Sequence, residues 1–248
     1  MIGDEGKLFA FEARFGERIE RLRPLQAGYL RNAKGKRLKR PKRDSEGMCL
    51  DAKGRLAISF EGKPRVAYFA TDAKRFGYRT KHVALPRVLR KAKRYRSKNK
   101  ALEALAYHPR YGLLTAPEWP LKKLHKKCHT IYALRSNKRW CFRAEPEARS
   151  GVVAMEVTDD GNVLVLERSF RGLLEPLIVT LKKVYLSHCN RNGICRSEIV
   201  VKMNTHQGWD IDNFEGLAKV GKHRYVMVSD DNENFFQRSM LVYMEVRP

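Results

Sequence analysis

Acidic residues recur at two matched positions along this chain. Glu46 and Glu61, Glu103 and Glu118, Val153 and Glu167, and Glu215 and Asp230 open and close four segments of nearly equal length, and Asp231 directly follows the last. Three of the four open with Glu and all four close with an acid. Carboxylates crowded together raise each other's pKa or recruit a cation, and an all-oxygen donor set suits Ca2+ best. The pattern fits metal-assisted hydrolysis of a phosphate or other ester. On that reading Glu46, Glu103, Glu215 and Asp230 hold one or more divalent ions, while Glu61, Glu118, Glu167 or Asp231 supplies a general base or supports the ligands. Arg65, Arg168 and Arg238 follow the closing acids closely, and their planar forks suit phosphate oxygens. Lys100, three residues ahead of Glu103, joins them as a substrate-binding candidate. Each Arg also has a plainer role as salt-bridge partner of its neighbouring acid. His206, on the loop before Glu215, is a candidate acid, base or ligand, or simply an exposed loop histidine. For the acids as a whole, the plainer alternative is solvation of strand ends.

The elements that must position these groups are strands. RLAISFE, NVLVLER, YVMVSDD and MLVYMEV are short, rich in β-branched and aromatic residues, and bounded by Gly, Pro, Asp and Asn. The four acid-bounded segments, Glu46 to Glu61, Glu103 to Glu118, Val153 to Glu167 and Glu215 to Asp230, each read as strand, tight turn and second strand. Residues equidistant from a hairpin turn face each other across the pair, so the opening and closing acids are expected side by side, away from the turn. Hairpins repeated every 50 to 60 residues as inner strands of blades predict an all-β propeller with the acids at one mouth of its channel. Asp4-Glu5-Gly6 matches the end of a further hairpin with no strand before it, and SMLVYMEV supplies one strand at the other end. The expectation is therefore a single domain over residues 1–248 with at least five blades, five or six, the first incomplete at the N-terminus.

With 51 Lys+Arg against 27 Asp+Glu, the net charge is +24 and favours anionic partners. Two runs, Leu30 to Arg43 and Arg87 to Lys100, hold much of the excess. They read either as solvated loops and edges or as an electrostatic funnel for an anion. An anionic small-molecule ester is the partner this favours, ahead of nucleic acid, for which no RNA-recognition signature or zinc-finger spacing is present. No Gly-x-Ser-x-Gly elbow supports a serine hydrolase, and no apolar stretch is long enough to span a membrane. None of the five cysteines forms a CxxC pair. Cys189 and Cys195 flank an Asn-Gly turn and would pair in an oxidising compartment; Cys128 and Cys141 would pair similarly, leaving Cys49 as a small core residue. MIGDEGKLFAF lacks the n-region and h-region of a signal peptide.

Several motifs together resemble the phytase-like family, described as esterase-like activity of phytase. They are Asp44-Ser45-Glu46-Gly47 with Ser59-Phe60-Glu61 and Arg65; Asn99-Lys100-Ala101-Leu102-Glu103-Ala104-Leu105; Leu166-Glu167-Arg168-Ser169-Phe170; and Asp212-Asn213-Phe214-Glu215-Gly216-Leu217 followed by Ser229-Asp230-Asp231-Asn232 and Gln237-Arg238. The resemblance covers nearly the whole chain. It implies a propeller with acidic active-site candidates, an esterase or phosphoesterase activity, and a periplasmic or secreted location. Val153 departs from the pattern by standing where a Glu would complete the ring. The alternative is a non-catalytic, metal-stabilised propeller whose basic surface binds an anionic protein, surface polymer or nucleic acid.

Overall fold

The computed structural model describes residues 1–3, 5–97, 100–124, 127–147, 149–172, 175–230 and 237–247. Asn99, Asp231 and Asn232 therefore lie outside the described residues. Regular structure is almost entirely antiparallel strand, in five successive meanders. The first is β1 (Ile2–Gly3), β2 (Lys7–Phe15) and β3 (Ile19–Tyr29); the second is β4 (Ser45–Leu50), β5 (Leu56–Phe60), β6 (Arg65–Phe69) and β7 (Arg79–Val83). The third comprises β8 (Leu102–His108), β9 (Gly112–Pro117), β10 (Cys128–Ala133) and β11 (Arg139–Arg143), and the fourth β12 (Gly151–Val157), β13 (Val163–Ser169), β14 (Ile178–Cys189) and β15 (Ile194–Asn204). The fifth is β16 (Phe214–Gly221), β17 (Arg224–Ser229) and β18 (Leu241–Glu245). Short 3₁₀ turns occupy Ala92–Arg94 and Thr205–Gln207.

All four acid-bounded segments form the hairpins their sequences predict: β4–β5, β8–β9, β12–β13 and β16–β17. Their turns use left-handed backbone at Gly54, Gly112, Gly161 and His223, a conformation that costs glycine nothing. The opening strands lie against one another in sequence, β1 on β4, β4 on β8, β8 on β12 and β12 on β16.

Each interface between successive meanders holds its own apolar core. Leu8, Leu30, Ile58 and Phe60 pack between the first and second, and Ala57, Val66, Leu89, Leu102 and Leu105 between the second and third. Ala104, Ile131, Phe142, Met155 and Val165 fill the next interface, and Leu164, Leu166, Phe214 and Tyr225 the last. Strand β13 shows the logic. Val163 and Val165 face one core, Leu164 and Leu166 the other, because alternate side chains leave opposite faces of a strand. A sheet buried on both faces reads as a continuous apolar run, which is why VLVL shows no polar alternation.

The third and fourth meanders join into one eight-stranded sheet through parallel pairing of β11 with β15, Cys141 opposite Ile194 and Phe142 opposite Cys195. Disulfides Cys128–Cys141 and Cys189–Cys195 flank this seam, and Cys49 is free. The fifth meander meets the first. Phe15 stacks on Tyr243 with ring centroids 5.4 Å apart, and the Tyr243 hydroxyl donates to the Gly16 carbonyl at 2.9 Å.

The opening acids are not simply paired with the closing ones. Pairing skips a register between Ser45 and Met48, Leu102 and Ala104, Val152 and Ala154, and Phe214 and Gly216. Glu46 with Gly47, Glu103, Val153 and Glu215 are therefore the extra residues of four equivalent β-bulges. A bulge takes its residue out of the ladder and re-aims the side chain. At Gly47 the neighbouring meander comes so close that a Cβ would lie 2.5 Å from the Glu103 carbonyl oxygen and 2.7 Å from the Leu105 nitrogen. Gly47→Ala is expected to cost about 1–3 kcal/mol through this overpacking. In a thermal melt that corresponds to about 2–4 °C per kcal/mol for a chain of this size; an unchanged Tm would mean that β4 and β8 have room to separate.

Candidate functional site

The bulges gather a cluster of carboxylates where the opening strands meet. Asp44, Glu46 and Glu61 come from the second meander, and their nearest carboxylate oxygens lie within 4.8 Å of one another. Glu103 and Glu118 come from the third and Glu215 from the fifth, and these groups feel one another's charge. Main-chain bonds fix the closing acids. The amides of Glu61, Glu118 and Asp230 each donate across their own hairpin, to the carbonyls of Asp44, Ala101 and Asn213. Two closing acids also reach the next meander: Glu61 Oε2 accepts from the Ala101 amide at 3.3 Å, and the Glu118 carbonyl accepts from the Val152 amide at 2.9 Å.

Burial dominates the electrostatics. Glu103 is only 7% exposed and its Oε2 has no hydrogen-bond partner among the described residues. Burial, then the charges of Glu46, Glu118, Glu61 and Glu215, hold its pKa well above the usual carboxylate range. Glu61 is pushed up to about 7, first by burial and then by Asp44 and Glu118, against the Ala101 amide and Lys100. Burial raises Glu118 as well, although Lys100 and Arg168 oppose it. Lys100 Nζ lies 2.6 Å from Glu118 Oε2, and this contact raises the lysine's pKa although burial lowers it.

Arg168 spans the meanders. It pairs with Glu215 and donates to Asn213 Oδ1, with Nη2 3.9 Å from Glu118 Oε1. Its partners are thus Glu215 and Glu118 rather than the adjacent Glu167, and Glu215 is already neutralised by it. Beside this pair opens a cleft of about 360 Å³, lined by Lys100, Arg149 and Arg168, by Glu118 and Trp119, and on its apolar side by Phe170 and Leu177. Gly151 packs tightly against two of its lining residues, since a Cβ there would meet Glu118 Cγ at 2.7 Å and Trp119 Nε1 at 3.1 Å. The buried Trp119 indole N–H has no partner among the described residues.

The remaining candidates are placed elsewhere. Glu167, 1% exposed, is enclosed by Lys182 Nζ at 2.9 Å, the Ser150 hydroxyl at 2.9 Å, the Glu145 amide at 2.9 Å and His129 Nε2 at 3.5 Å. Burial alone would raise it, but His129, Lys182 and the Glu145 amide hold it down to about 2. Arg65 donates to the carbonyls of Lys42 and Lys63 and lies 3.7 Å over the Phe60 ring. Burial and Arg79 lower its pKa to about 10, against the pull of Asp44. Arg238 is ion-paired with the exposed Asp210. His206 is exposed on its 3₁₀ turn, its amide bonded to Asn204 Oδ1. Asp230 closes its hairpin through its amide. Asp231 lies outside the described residues. Asp44 is the site residue that reasoning from matched positions missed: it falls two residues before the repeat begins, though inside the Asp-Ser-Glu-Gly motif.

The chain belongs to the phytase-like family: the family model described as "Esterase-like activity of phytase" matches residues 1–233. No curated protein matches the chain. Among solved structures, virginiamycin B lyase from Staphylococcus aureus aligns over 100% of this chain and 83% of its own at 10% identity and a TM-score of 0.41. A protein of unknown function from Bacteroides caccae aligns over 92% and 82% at 12% identity and 0.37.

The two kinds of buried acid predict opposite pH responses. Glu61, Glu103 and Glu118 bind protons more tightly when folded, so in the absence of divalent ions stability falls as pH rises above the usual carboxylate range, for Glu61 through about 7. Glu103→Gln should raise Tm at pH 8 relative to the parent, and a fall would show that the charged form is accommodated. Glu167 binds its proton less tightly when folded, so its contribution is present above about 4.5 and lost as pH falls towards 2. Glu167→Gln should cost about 3–5 kcal/mol at pH 7, as for any buried pair left with one uncompensated partner; chemical denaturation at the two pH values reads both effects.

Proposed function

We propose that this protein is a metal-assisted hydrolase of phosphate or other esters, working at the carboxylate-lined mouth of a β-propeller whose five blades are the five meanders. The observation that carries this reading is the juxtaposition of buried, proton-binding carboxylates with a cleft bearing Lys100, Arg149 and Arg168. Asp44, Glu46 and Glu61 fit a hard divalent cation, most simply Ca2+: they offer oxygen donors alone, close enough to share one ion. Glu103 stands behind them with an orphaned carboxylate oxygen. Such an ion, when bound, polarises a phosphoryl or acyl oxygen and lowers the pKa of a coordinated water.

The protein's own residues do the rest. Lys100, Arg149 and Arg168 draw an anionic ester into the cleft, with Arg168 held in place by Glu215 and Asn213. Phe170 and Leu177 shelter the ester's organic portion. Glu118 lines the cleft with a pKa raised by burial, which suits a group that gives a proton to the leaving oxygen or takes one from water. The two disulfides support an oxidising location, periplasmic or secreted.

The test is hydrolysis of a panel of phosphate and carboxylate esters by the purified protein with and without Ca2+. The parent should turn over at least one ester only with Ca2+. Glu46→Gln and Asp44→Asn should lose Ca2+ binding by calorimetry together with turnover. Glu118→Gln should keep Ca2+ binding and lose about 10²–10⁴-fold in kcat. Tight Ca2+ binding without turnover of any ester would reduce the ion to a structural role and overturn the catalytic reading.

A further inference from the structure

Within the basic run Arg87 to Lys100 the fold gives two sets of cations distinct surroundings, apart from the exposed Lys91 and Lys93. One set is consumed internally. Arg90 donates to the Leu85 carbonyl at 2.7 Å and Arg96 to those of Pro120 at 2.7 Å and Leu124 at 3.0 Å, while Lys100 lines the carboxylate cleft beside Glu118. The Arg96 bonds, with Leu85, Leu89 and Tyr95 buried beneath, fasten the segment to the third meander; the Tyr95 hydroxyl donates to the Leu89 carbonyl at 2.8 Å.

The other set lines a separate cleft of about 430 Å³. Arg87 and Arg94 from this segment line it together with Lys138, from the turn between β10 and β11, and Arg139, the first residue of β11. Pro86 and Tyr132 contribute to its floor, and no Asp or Glu is among the described lining residues. None of the four cations makes a salt bridge to a described residue. Arg94 Nη1 donates to the Arg87 carbonyl at 3.2 Å, and Lys138 Nζ lies 5.0 Å over the Tyr111 ring. Four like charges converging on one concavity repel one another unless an anion compensates them. Three of them are guanidinium forks, the geometry that takes phosphate oxygens bidentately. The cleft is of small-molecule size, and Tyr132 is 3% exposed, so it offers no ring on which a nucleic-acid base could stack.

We propose that this cleft is a binding site for a compact anion bearing two or more phosphate groups, sharing no lining residue with the carboxylate cleft. The anion bridges the loop before β8 and the β10–β11 turn, replacing repulsion between them with a shared partner.

Calorimetric titration with tripolyphosphate, in chelator and without Ca2+, tests this. The parent should show one saturable site. Arg94→Gln/Arg139→Gln should weaken it about tenfold or more, while Lys34→Gln/Lys36→Gln/Lys39→Gln, which removes as much or more charge from the other basic run, should leave it within about twofold. Thermal melts verify that each variant folds; if the double variant does not, the exposed Lys138→Gln should still weaken binding measurably. Undiminished binding by the double variant, an equal loss in the triple control, or tighter binding of a single-stranded oligonucleotide than of tripolyphosphate would each overturn the proposal.

Discussion

The cost of placing like charges out of water governs this structure. Carboxylates that repel one another and lack solvent must take up protons, find cations, or be held by cationic side chains, and the chain uses all three solutions within one region. Glu103 is held towards its protonated form, Asp44, Glu46 and Glu61 form an oxygen cluster suited to a divalent ion, and Glu215 is neutralised by Arg168. Glu167, in the same repeat position as Glu61 and Glu118, is enclosed by Lys182 and His129 and serves the interior. One repeated register thus yields acids of different character, because each closing acid meets different partners: the Ala101 amide at Glu61, Lys100 at Glu118, Lys182 and His129 at Glu167.

The bulge is the local device that makes this arrangement possible. An acid in a regular ladder would point into one of the apolar cores that fill both faces of these sheets. Lifted out of the ladder, Glu103 leaves Leu102 and Leu105 to one core and Ala104 and Ala106 to the other. The price is close approach of neighbouring backbones, visible at Gly47. Packing and site geometry are therefore set by the same residues, and changes at the bulges act on both.

Much of this was legible in the sequence. Period and turn residues located all four hairpins, because an Asn, Asp or Gly between two apolar runs leaves the backbone few alternatives. The recurring acids, together with Lys100 and Arg168, pointed to one region, and the chain's family followed from its motifs. The bulges were not legible: a segment with one extra residue looks like a regular hairpin with a longer turn. Nor was the fate of Glu167, since Lys182 and Ser150 are remote from it in sequence and reach it only through sheet packing. Asp44 escaped because it breaks the repeat, and the cations of the Arg87 to Lys100 run, interleaved in sequence, became distinguishable only once the carbonyls that claim Arg90 and Arg96 were in place.

The seam between β11 and β15 carries a further consequence. Parallel hydrogen bonds between β11 and β15 join the third and fourth meanders into a single sheet, each of these strands being tied by a disulfide to its own meander, Cys128–Cys141 in the third and Cys189–Cys195 in the fourth, so Glu118, Trp119 and Gly151 stand on one stiff wall. The fifth meander meets that wall through side chains, with Arg168 reaching across to Glu215 and Asn213. The cleft thus resembles a vice with one fixed jaw. Its gap is set by a guanidinium that is at once a clamp for the opposing jaw and a contact for whatever enters, and an anion competing for Arg168 would loosen the very jaw that holds it.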